Sequence, residues 1–263
     1  MNDTLKFLQS LSFEVNIRCP LATLHEGICP ISDPHRYDHV KNAAQKITLD
    51  TVRECAAVAY GELGFRGWVQ FHYFNDPGLM LREIAAAIPA MRTAVPGIRL
   101  GIFTSGVMIG RNAVDLEPLR LFDGVWLRDY LGNRDWLKEL ADFPNVRIDT
   151  APVLDKRMTT PPAAEPTKVR CRRCWDELCI DHFGYGHVCT GDWRRAVDIG
   201  DLWTGRGFIE ICERFNSARD LICQEPMPPE APEFCRHCLL SMREGDCIID
   251  HEIFEEVKVK RGF

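Results

Sequence analysis

The sequence predicts an α/β fold, in which parallel strands joined by helices form an open or partial barrel, followed by a smaller cysteine-rich domain. Short β-branched apolar runs alternate with segments of helical periodicity over residues 1–150, as expected for right-handed strand–helix–strand crossovers. After a polar, proline-rich stretch, strand-like pieces and cysteine pairs replace that pattern. We therefore divide the chain into a barrel-like domain at 1–156, a linker at 157–170 and a second domain at 171–263.

Five strands are predicted along the barrel-like domain, with a first helix between the first two. The strands are expected at Phe13–Ile17, Trp68–Tyr73, Ile98–Thr104, Gly124–Leu127 and Val146–Thr150. A helix is predicted between the first two strands, because apolar residues recur at helical spacing from Val52 to Leu63. Thr48 or Asp50 is suited to cap this helix, and Gly64 is suited to end it.

Three further helices follow along the chain. One is predicted in PGLMLREIAAAIPAMRTAVPG, where Pro77 suits the first turn and Pro89 is expected to break or kink the helix. Another is predicted in NRDWLKELADFPN, and an amphipathic helix is predicted near Phe208–Phe215 in the second domain. In parallel α/β folds the chemistry lies beyond the carboxyl ends of the strands, so the site residues are expected there.

Composition and charge exclude several classes of partner. The chain has 263 residues and a net charge of −6, which argues against nonspecific binding to nucleic acid, because that binding needs clustered positive charge. Its apolar runs are shorter than the roughly 18 residues that span a bilayer. The N-terminus lacks the features of a secretory signal. We expect a cytoplasmic protein that binds neither nucleic acid nor membrane.

The twelve cysteines are numerous for a cytoplasmic chain of this length. In a reducing compartment they favour metal binding over disulfides. Cys171 with Cys174, and Cys235 with Cys238, form two Cys-x2-Cys pairs, which predict a four-thiolate site such as structural zinc. Replacing Cys174 by Cys189 gives a second set of four thiolates, enough to hold an iron–sulfur cluster. The spacing alone leaves both sets open.

The order of residues around these cysteines matches a known pattern. Cys171 is followed by Gly184, Cys189 and, after a long gap, the pair Cys235 and Cys238. Asp192 and the stretch IGDL also match in place. This order resembles the SPASM and twitch domains, which carry auxiliary clusters in radical S-adenosylmethionine (SAM) enzymes. A single later cysteine makes the shorter twitch form the better match, and the resemblance implies one auxiliary [4Fe–4S] cluster on Cys171, Cys189, Cys235 and Cys238.

Three stretches of the first domain lie at predicted strand ends. FEVNIRC with ICPIS, FHYFNDPGLM and FTSGVMI occur in that order along the chain. They resemble the cluster loop, the GEP-like motif and the TNG-like strand end of radical SAM proteins, and the overall layout is most similar to the aminocyclitol dehydrogenases of that family. The resemblance implies a partial (β/α) barrel of the radical SAM type. It also implies a SAM site that includes Ile28, Asn75, Asp76, Ser105 and Gly106, with Asp76 in place of the acid that holds the SAM amino group.

The cluster loop departs from the Cys-x3-Cys-x2-Cys pattern of that family, because nine residues separate Cys19 from Cys29. If Cys29 is the last ligand, Glu26 occupies the middle position. If Cys29 is the middle ligand, Ser32 is the last. His25 lies in the same loop and is able to bind iron through its imidazole. We expect either an unusual second cluster with a histidine or glutamate ligand, or a degenerate loop that kept only the fold.

Together with the resemblance, these residues predict a radical-SAM-like iron–sulfur oxidoreductase. SAM would be cleaved to a 5′-deoxyadenosyl radical, a hydrogen atom would be taken from a small polyol or peptide substrate, and the auxiliary cluster would accept the second electron. Such an enzyme needs a reductant protein as its partner. The alternative is a noncatalytic binding or scaffold protein of the same fold, held together by a structural iron–sulfur or zinc site.

Overall fold

The computed structural model describes residues 4–23, 26, 29–40, 44–111, 116–130, 139–140, 143–149, 171, 176–224 and 226–238. Within these residues one sheet has seven strands: β1 (Ser10–Phe13), β2 (Trp68–Gln70), β3 (Arg99–Thr104), β4 (Gly124–Arg128), β5 (Val146–Asp149), β6 (Glu177–Ile180) and β7 (Gly186–His187). Their order across the sheet is β5-β4-β3-β2-β1-β6-β7. Strands β1 to β6 are parallel, and β7 returns antiparallel to β6. The predicted α/β class is confirmed.

The helices lie between and after the strands. In the described part of the chain they are α1 (Leu49–Glu62), α2 (Leu81–Ala94), α3 (Val107–Arg111), α4 (Phe208–Ile222) and α5 (Glu233–Arg236), with short 3-10 turns at Pro30–Ser32, Pro77–Met80 and Glu117–Leu121. The helix predicted in NRDWLKELADFPN falls mostly outside the described residues. Across the described residues, the helices are too short or too polar to cross a bilayer.

Local sequence explains how α1 and α2 begin. Thr48 caps α1 in a capping box with Thr51, whose amide donates to the Thr48 hydroxyl at 3.1 Å. Pro89 does not break α2, which continues through this residue to Ala94, and the kink that is the other expectation for Pro89 stays a prediction. Three turns of its apolar face are buried in the core, and this packing outweighs the hydrogen bond that proline cannot make.

Strand β1 lies earlier in the chain than predicted. The sequence favours Phe13–Ile17, whereas the strand is Ser10–Phe13 and the side chain of Ile17 is 42% exposed. Ser10 and Ser12 are buried in this strand because their hydroxyls are satisfied across the sheet. Ser10 Oγ donates to the Asp176 carbonyl at 3.0 Å, and Ser12 Oγ donates to the Glu177 carboxylate. The other four predicted strands begin within one residue of their predicted starts.

The second half of the chain contributes to the same sheet as the first. Strand β6 pairs in parallel with β1 from Ser10–Glu177 to Phe13–Ile180. A single apolar core contains residues of β1, β3 and β6 together with Phe215 of α4. The proposed linker at 157–170 lies outside the described residues, so the domain boundary stays a prediction.

Candidate functional site

The carboxyl ends of strands β1 to β6 meet at one edge of the sheet, because these strands run in the same direction. Glu14 follows β1, Ser105 follows β3 and Asp181 follows β6, while Phe71–Asp76 continues from β2. The side chains of Glu14, Ser105 and Asp181 are all buried. A row of buried polar groups at the edge where such folds bind ligands marks this as the candidate site.

The Asp76 carboxylate joins the ends of β2 and β3. Its Oδ1 accepts hydrogen bonds from the Gly78 amide at 2.9 Å and the Thr104 hydroxyl at 2.6 Å. Its Oδ2 accepts from the Ser105 amide at 3.2 Å and from the Ser105 hydroxyl. These four donors fill the acceptor directions of a carboxylate. Asp76 therefore holds the two strand ends in a fixed relation.

The neighbouring candidate residues are also held by local hydrogen bonds. The Asn75 side chain accepts a backbone hydrogen bond at 2.9 Å and donates another at 3.2 Å within the turn after β2. The Gly106 amide donates to the Thr104 hydroxyl at 3.1 Å. The structure thus brings Asn75, Asp76, Ser105 and Gly106 to two adjacent strand ends. The side chains of Asn75 and Asp76 are directed at protein groups.

The loop after β1 brings Cys19 next to Asp76. The Asp76 amide donates to the Arg18 carbonyl at 2.8 Å, and Asn16 Nδ2 donates to the Asp76 carbonyl at 3.3 Å. Burial raises the pKa of the Cys19 thiol to about 12; a backbone hydrogen bond opposes this shift, and the negative charges of Asp76 and Cys29 add to it. Cys19, Cys29 and Asp76 are therefore neighbours at the carboxyl edge.

The other candidate ligands of the cluster loop have different surroundings. The Glu26 side chain is exposed. The Ser32 hydroxyl donates to the Cys29 carbonyl at 2.8 Å. The predictions for His25 and Ile28 lie outside the described residues, so the ligand set of this loop stays a prediction.

A buried ion pair lies beside this loop, and sequence reasoning missed it. Glu14 is fully buried after β1 and accepts from the Arg36 guanidinium, from the Tyr37 hydroxyl at 2.9 Å and from the backbone amides of Phe74 and His182, both at 3.3 Å. Arg36 also stacks on the Tyr37 and Phe74 rings, 4.6 and 4.7 Å from their centres. The one signal in the sequence is a charged residue inside the apolar run FEVNI.

Cys235 has three other cysteines of the second half in its surroundings. The Cys171 amide donates to the Ile222 carbonyl at the end of α4 at 3.1 Å, Cys189 follows β7, and Cys235 and Cys238 lie in and after α5. Burial raises the pKa of the Cys235 thiol, and the charges of Cys189, Cys171 and Cys238 raise it further. Cys235 is therefore within electrostatic reach of the other three members of the predicted iron–sulfur set.

This group of thiols has the chemistry of a metal centre. Clustered, poorly hydrated thiolates repel one another, and bound metal ions supply the positive charge that stabilises them. No three cysteine sulfurs among the described residues lie within 4.8 Å of one another. A tetrahedral zinc site with Zn–S bonds of about 2.3 Å holds its sulfurs about 3.8 Å apart. Cys174, the remaining member of the zinc set, lies outside the described residues.

An apolar cluster lies beside Cys29. It consists of the buried residues Tyr73, Phe74, Cys179 and Trp193, and Cys29 packs against it. Burial raises the pKa of the Tyr73 hydroxyl well above its ordinary value, and the negative charges of Cys179, Asp192 and Cys189 contribute to the shift. The cluster therefore meets Cys29 of the first group and Cys189 of the second.

Comparison with solved structures identifies proteins of similar fold. The chain superimposes on BtrN, a radical SAM dehydrogenase, in complex with AdoMet and 2-DOIA, with a TM-score of 0.62 and 18% sequence identity over 86% of this chain and 89% of that chain. It also superimposes on selenomethionine BtrN in an open conformation, with a TM-score of 0.59 and 18% identity over 88% and 92% of the two chains. No protein-family model and no curated protein sequence matches. The seven-stranded α/β sheet is thus similar to the radical SAM fold of BtrN.

Proposed function

We propose that this protein is a radical-SAM-like iron–sulfur oxidoreductase, with a partial (β/α) barrel and a C-terminal twitch domain. The observation that carries the proposal is that the loop with Cys19 and Cys29 lies against the turn after β2 that contains Asp76: the Asp76 amide donates to the Arg18 carbonyl at 2.8 Å, and Cys29 packs against the cluster of Tyr73 and Phe74. Ligands of parallel α/β folds bind at this edge, and the BtrN structure of similar fold contains AdoMet. The cysteines, the strand-end motifs and the fold therefore support the same cofactor chemistry.

In the barrel site, Cys19 and Cys29 would hold a [4Fe–4S] cluster, with His25 or Glu26 as a further ligand. When bound and reduced, that cluster supplies the electron that cleaves SAM to a 5′-deoxyadenosyl radical, which takes a hydrogen atom from the substrate. The Asp76 carboxylate is already occupied by four donors. It would therefore act by fixing the strand ends, so that main-chain groups around Asn75 and Ser105 contact SAM.

In the twitch domain, Cys171, Cys189, Cys235 and Cys238 would hold the auxiliary [4Fe–4S] cluster that accepts the second electron. In such a cluster each of the four thiolates would bind a different iron. The apolar cluster around Tyr73 would keep water out of the region between the two cysteine groups. The order of Cys171, Gly184, Cys189 and the pair Cys235 and Cys238, which resembles the twitch pattern, supports iron over zinc in the second site.

The substrate would be a small polyol or a peptide side chain, with a reductant protein as partner. The BtrN complex contains 2-DOIA, which supports a small-molecule substrate over a macromolecule. The net reaction would be a two-electron oxidation. The first electron would leave the substrate as part of the abstracted hydrogen atom, the second would pass to the auxiliary cluster, and a proton would be released with it.

A noncatalytic scaffold of the same fold is the second candidate function. Two observations favour it. The Asp76 carboxylate is occupied by hydrogen bonds, whereas a SAM site of this kind needs a free acid. The Glu26 side chain is exposed, whereas the cluster needs a third ligand. In that case the cysteines of the second half would form a structural metal site, iron–sulfur or zinc.

The experiment is the iron, sulfide and zinc content of anaerobically purified protein, measured beside a Cys171→Ala/Cys189→Ala variant. The proposal expects about eight irons per chain, because two [4Fe–4S] clusters contain four irons each. About four irons should remain in the variant, which keeps only the cluster in the barrel. Reductive cleavage of SAM is then assayed on the wild-type protein. About four irons, all lost in the variant, would support the scaffold. Zinc without iron would overturn the oxidoreductase.

A further inference from the structure

Outside the two cysteine groups, three other metal-binding side chains come together. His39 Nε2 lies 2.8 Å from Asp181 Oδ2, and His187 Nε2 lies 3.2 Å from the same oxygen. These three donor atoms are all within 4.8 Å of one another, and among the described residues this is the single such group of histidine, cysteine or acidic donors. Asp181 follows β6, His187 lies in β7, and His39 comes from the segment after the cluster loop.

The backbone leaves one oxygen of Asp181 for the two histidines. Its Oδ1 accepts from the amides of Phe183 and Tyr185 at 2.9 and 3.0 Å. These bonds form inside the β6–β7 turn and fix the rotation of the carboxylate. Oδ2 consequently points at His39 and His187. Carboxylates that bind a metal ion are typically held in place by hydrogen bonds of this kind.

The ring orientation of His187 points to a cation at its Nε2. Its Nδ1 lies 2.7 Å from the Asp192 carbonyl, and a carbonyl only accepts, so Nδ1 carries a hydrogen. In the neutral ring Nε2 then presents a lone pair to Asp181 Oδ2. Two acceptors that face each other at 3.2 Å repel unless a proton or a metal ion lies between them. A backbone carbonyl on the second nitrogen is also the usual support of a histidine that binds metal.

We propose that His39, Asp181 and His187 bind a Zn²⁺ ion, separate from the cysteine groups. Two imidazole nitrogens and one carboxylate oxygen are a zinc donor set that leaves a fourth position open. The side chains of Asp181 and His187 are 1% exposed and that of His39 is 12% exposed. The rings of Tyr185 and Tyr73 lie 5.1 Å from those of His39 and His187. So enclosed a site suits four-coordinate zinc better than an octahedral ion with several bound waters.

The ion would join two parts of the chain that lead to the cysteines. His39 belongs to the segment that follows Cys29, and His187 precedes Cys189 by two residues. A zinc ion on the β6–β7 hairpin would tie the end of the cluster loop to the strand that delivers Cys189. The inference does not depend on SAM chemistry, because a catalytic protein and a scaffold would contain the same site.

The test is X-ray absorption at the zinc edge of the full-length protein loaded with Zn²⁺ alone. The proposal expects about one zinc per chain with nitrogen and oxygen neighbours at about 2.0–2.1 Å, whereas zinc on thiolates has sulfur neighbours at about 2.3 Å. A shell of sulfur alone would overturn the proposal, and so would the absence of bound zinc. This measurement needs no variant.

A matched pair of histidine variants gives an independent readout. His39→Asn keeps a donor toward Asp181 but removes the imidazole, whereas His35→Asn changes an exposed histidine of the same segment that contacts Asp38. We expect His39→Asn to lower zinc affinity by roughly 100-fold or more, since even supporting residues contribute 10–100-fold. His35→Asn should leave it unchanged, and both variants should keep the iron and sulfide content of the wild type. Equal zinc affinity in the two variants would mean that zinc binds at other residues, and would overturn the proposal.

Discussion

Glu14 and Arg36 form an ion pair that is almost completely removed from solvent, with side-chain exposures of 0% and 3%. Glu14 follows β1, and Arg36 belongs to the segment between the cluster loop and α1. The pair therefore anchors that segment to the carboxyl edge of the sheet. A buried charge is tolerated only while its partner and hydrogen bonds are present.

Arg36→Met is expected to destabilise the protein by about 3–5 kcal/mol, because it leaves the Glu14 carboxylate buried without its counter-charge. The free energy of unfolding in urea measures this change. The double variant Glu14→Gln/Arg36→Met removes both charges and should regain most of the loss. If the double variant is as unstable as the single one, the loss comes from packing against the Tyr37 and Phe74 rings and not from charge.

Asp76→Asn is expected to cost about 1–3 kcal/mol, because the new amide group faces donors that now lack an acceptor. The Ser105 amide and the Gly78 amide would each compete for the single remaining carbonyl oxygen. Chemical denaturation measures the loss, and Asp50→Asn, a change at an exposed acid that pairs with Arg53 on α1, serves as control. Equal stability of the two variants would contradict a fixing role for Asp76.

Gly184→Ala should destabilise the β6–β7 hairpin. Gly184 has a φ of +86°, and an added Cβ would lie 2.7 Å from Nε1 of Trp203. The left-handed conformation costs about 1–2 kcal/mol, and overpacking adds about 1–3 kcal/mol. Gly97→Ala is the matched control, because Gly97 has a φ of +80° and open space around it. The two variants share the cost of the left-handed conformation, so the difference between their losses of stability in thermal denaturation measures the clash with Trp203. Equal losses would contradict the clash.

Tyr60 should make the protein lose stability at high pH. Its hydroxyl donates to the Gly67 carbonyl at 2.5 Å and accepts from the Arg99 amide at 3.1 Å, and burial raises its pKa above the ordinary value of 10. A raised folded-state pKa means that the contribution is complete below pH ~10 and is lost as pH rises toward the folded pKa. In Tyr60→Phe, the fall in unfolding free energy above pH ~10 should be shallower by up to ~1.4 kcal/mol per pH unit. Identical slopes would assign the fall to other groups.

Cys174→Ala and Cys189→Ala distinguish the two metal-ligand sets of the second half. The iron–sulfur set predicts that Cys189→Ala loses the auxiliary iron while Cys174→Ala keeps it. The zinc set predicts the reverse pattern for bound zinc. Metal content of the two purified variants is the measurement, and retention of metal by both variants would contradict both sets.

The elements that could be predicted from the sequence are those with local signals. The starts of β2 to β5 follow from apolar runs, and the cap of α1 follows from Thr48. Strand β1 was misplaced because Ser10 and Ser12 look polar until the partners on β6 are known. The sequence does not show that α2 continues through Pro89, because the packing of the α2 face against the core is a tertiary effect.

The polar groups of the site required contacts that no local pattern indicates. Glu14 and His182 are 168 residues apart, and His39 and Asp181 are 142 residues apart. Cysteine spacing left two ligand sets open, and the set of Cys171, Cys189, Cys235 and Cys238 follows from the resemblance to twitch domains and stays a prediction. Histidines and acids are common on surfaces, so their meeting at the end of β6 becomes visible only in three dimensions.

The pairing of β1 with β6 sets an order for folding during synthesis. Ser10 forms its hydrogen bond only after Asp176 has been synthesised, 166 residues later in the chain. Strands β1 to β5 are able to assemble before that, as they leave the ribosome. Until β6 arrives, the nascent sheet presents β1 as an open edge, which other chains or chaperones can pair with. Its closure costs the entropy of a long loop. Cys189 follows the same closing hairpin, so the metal centre that we propose on this cysteine would assemble only after the sheet is complete.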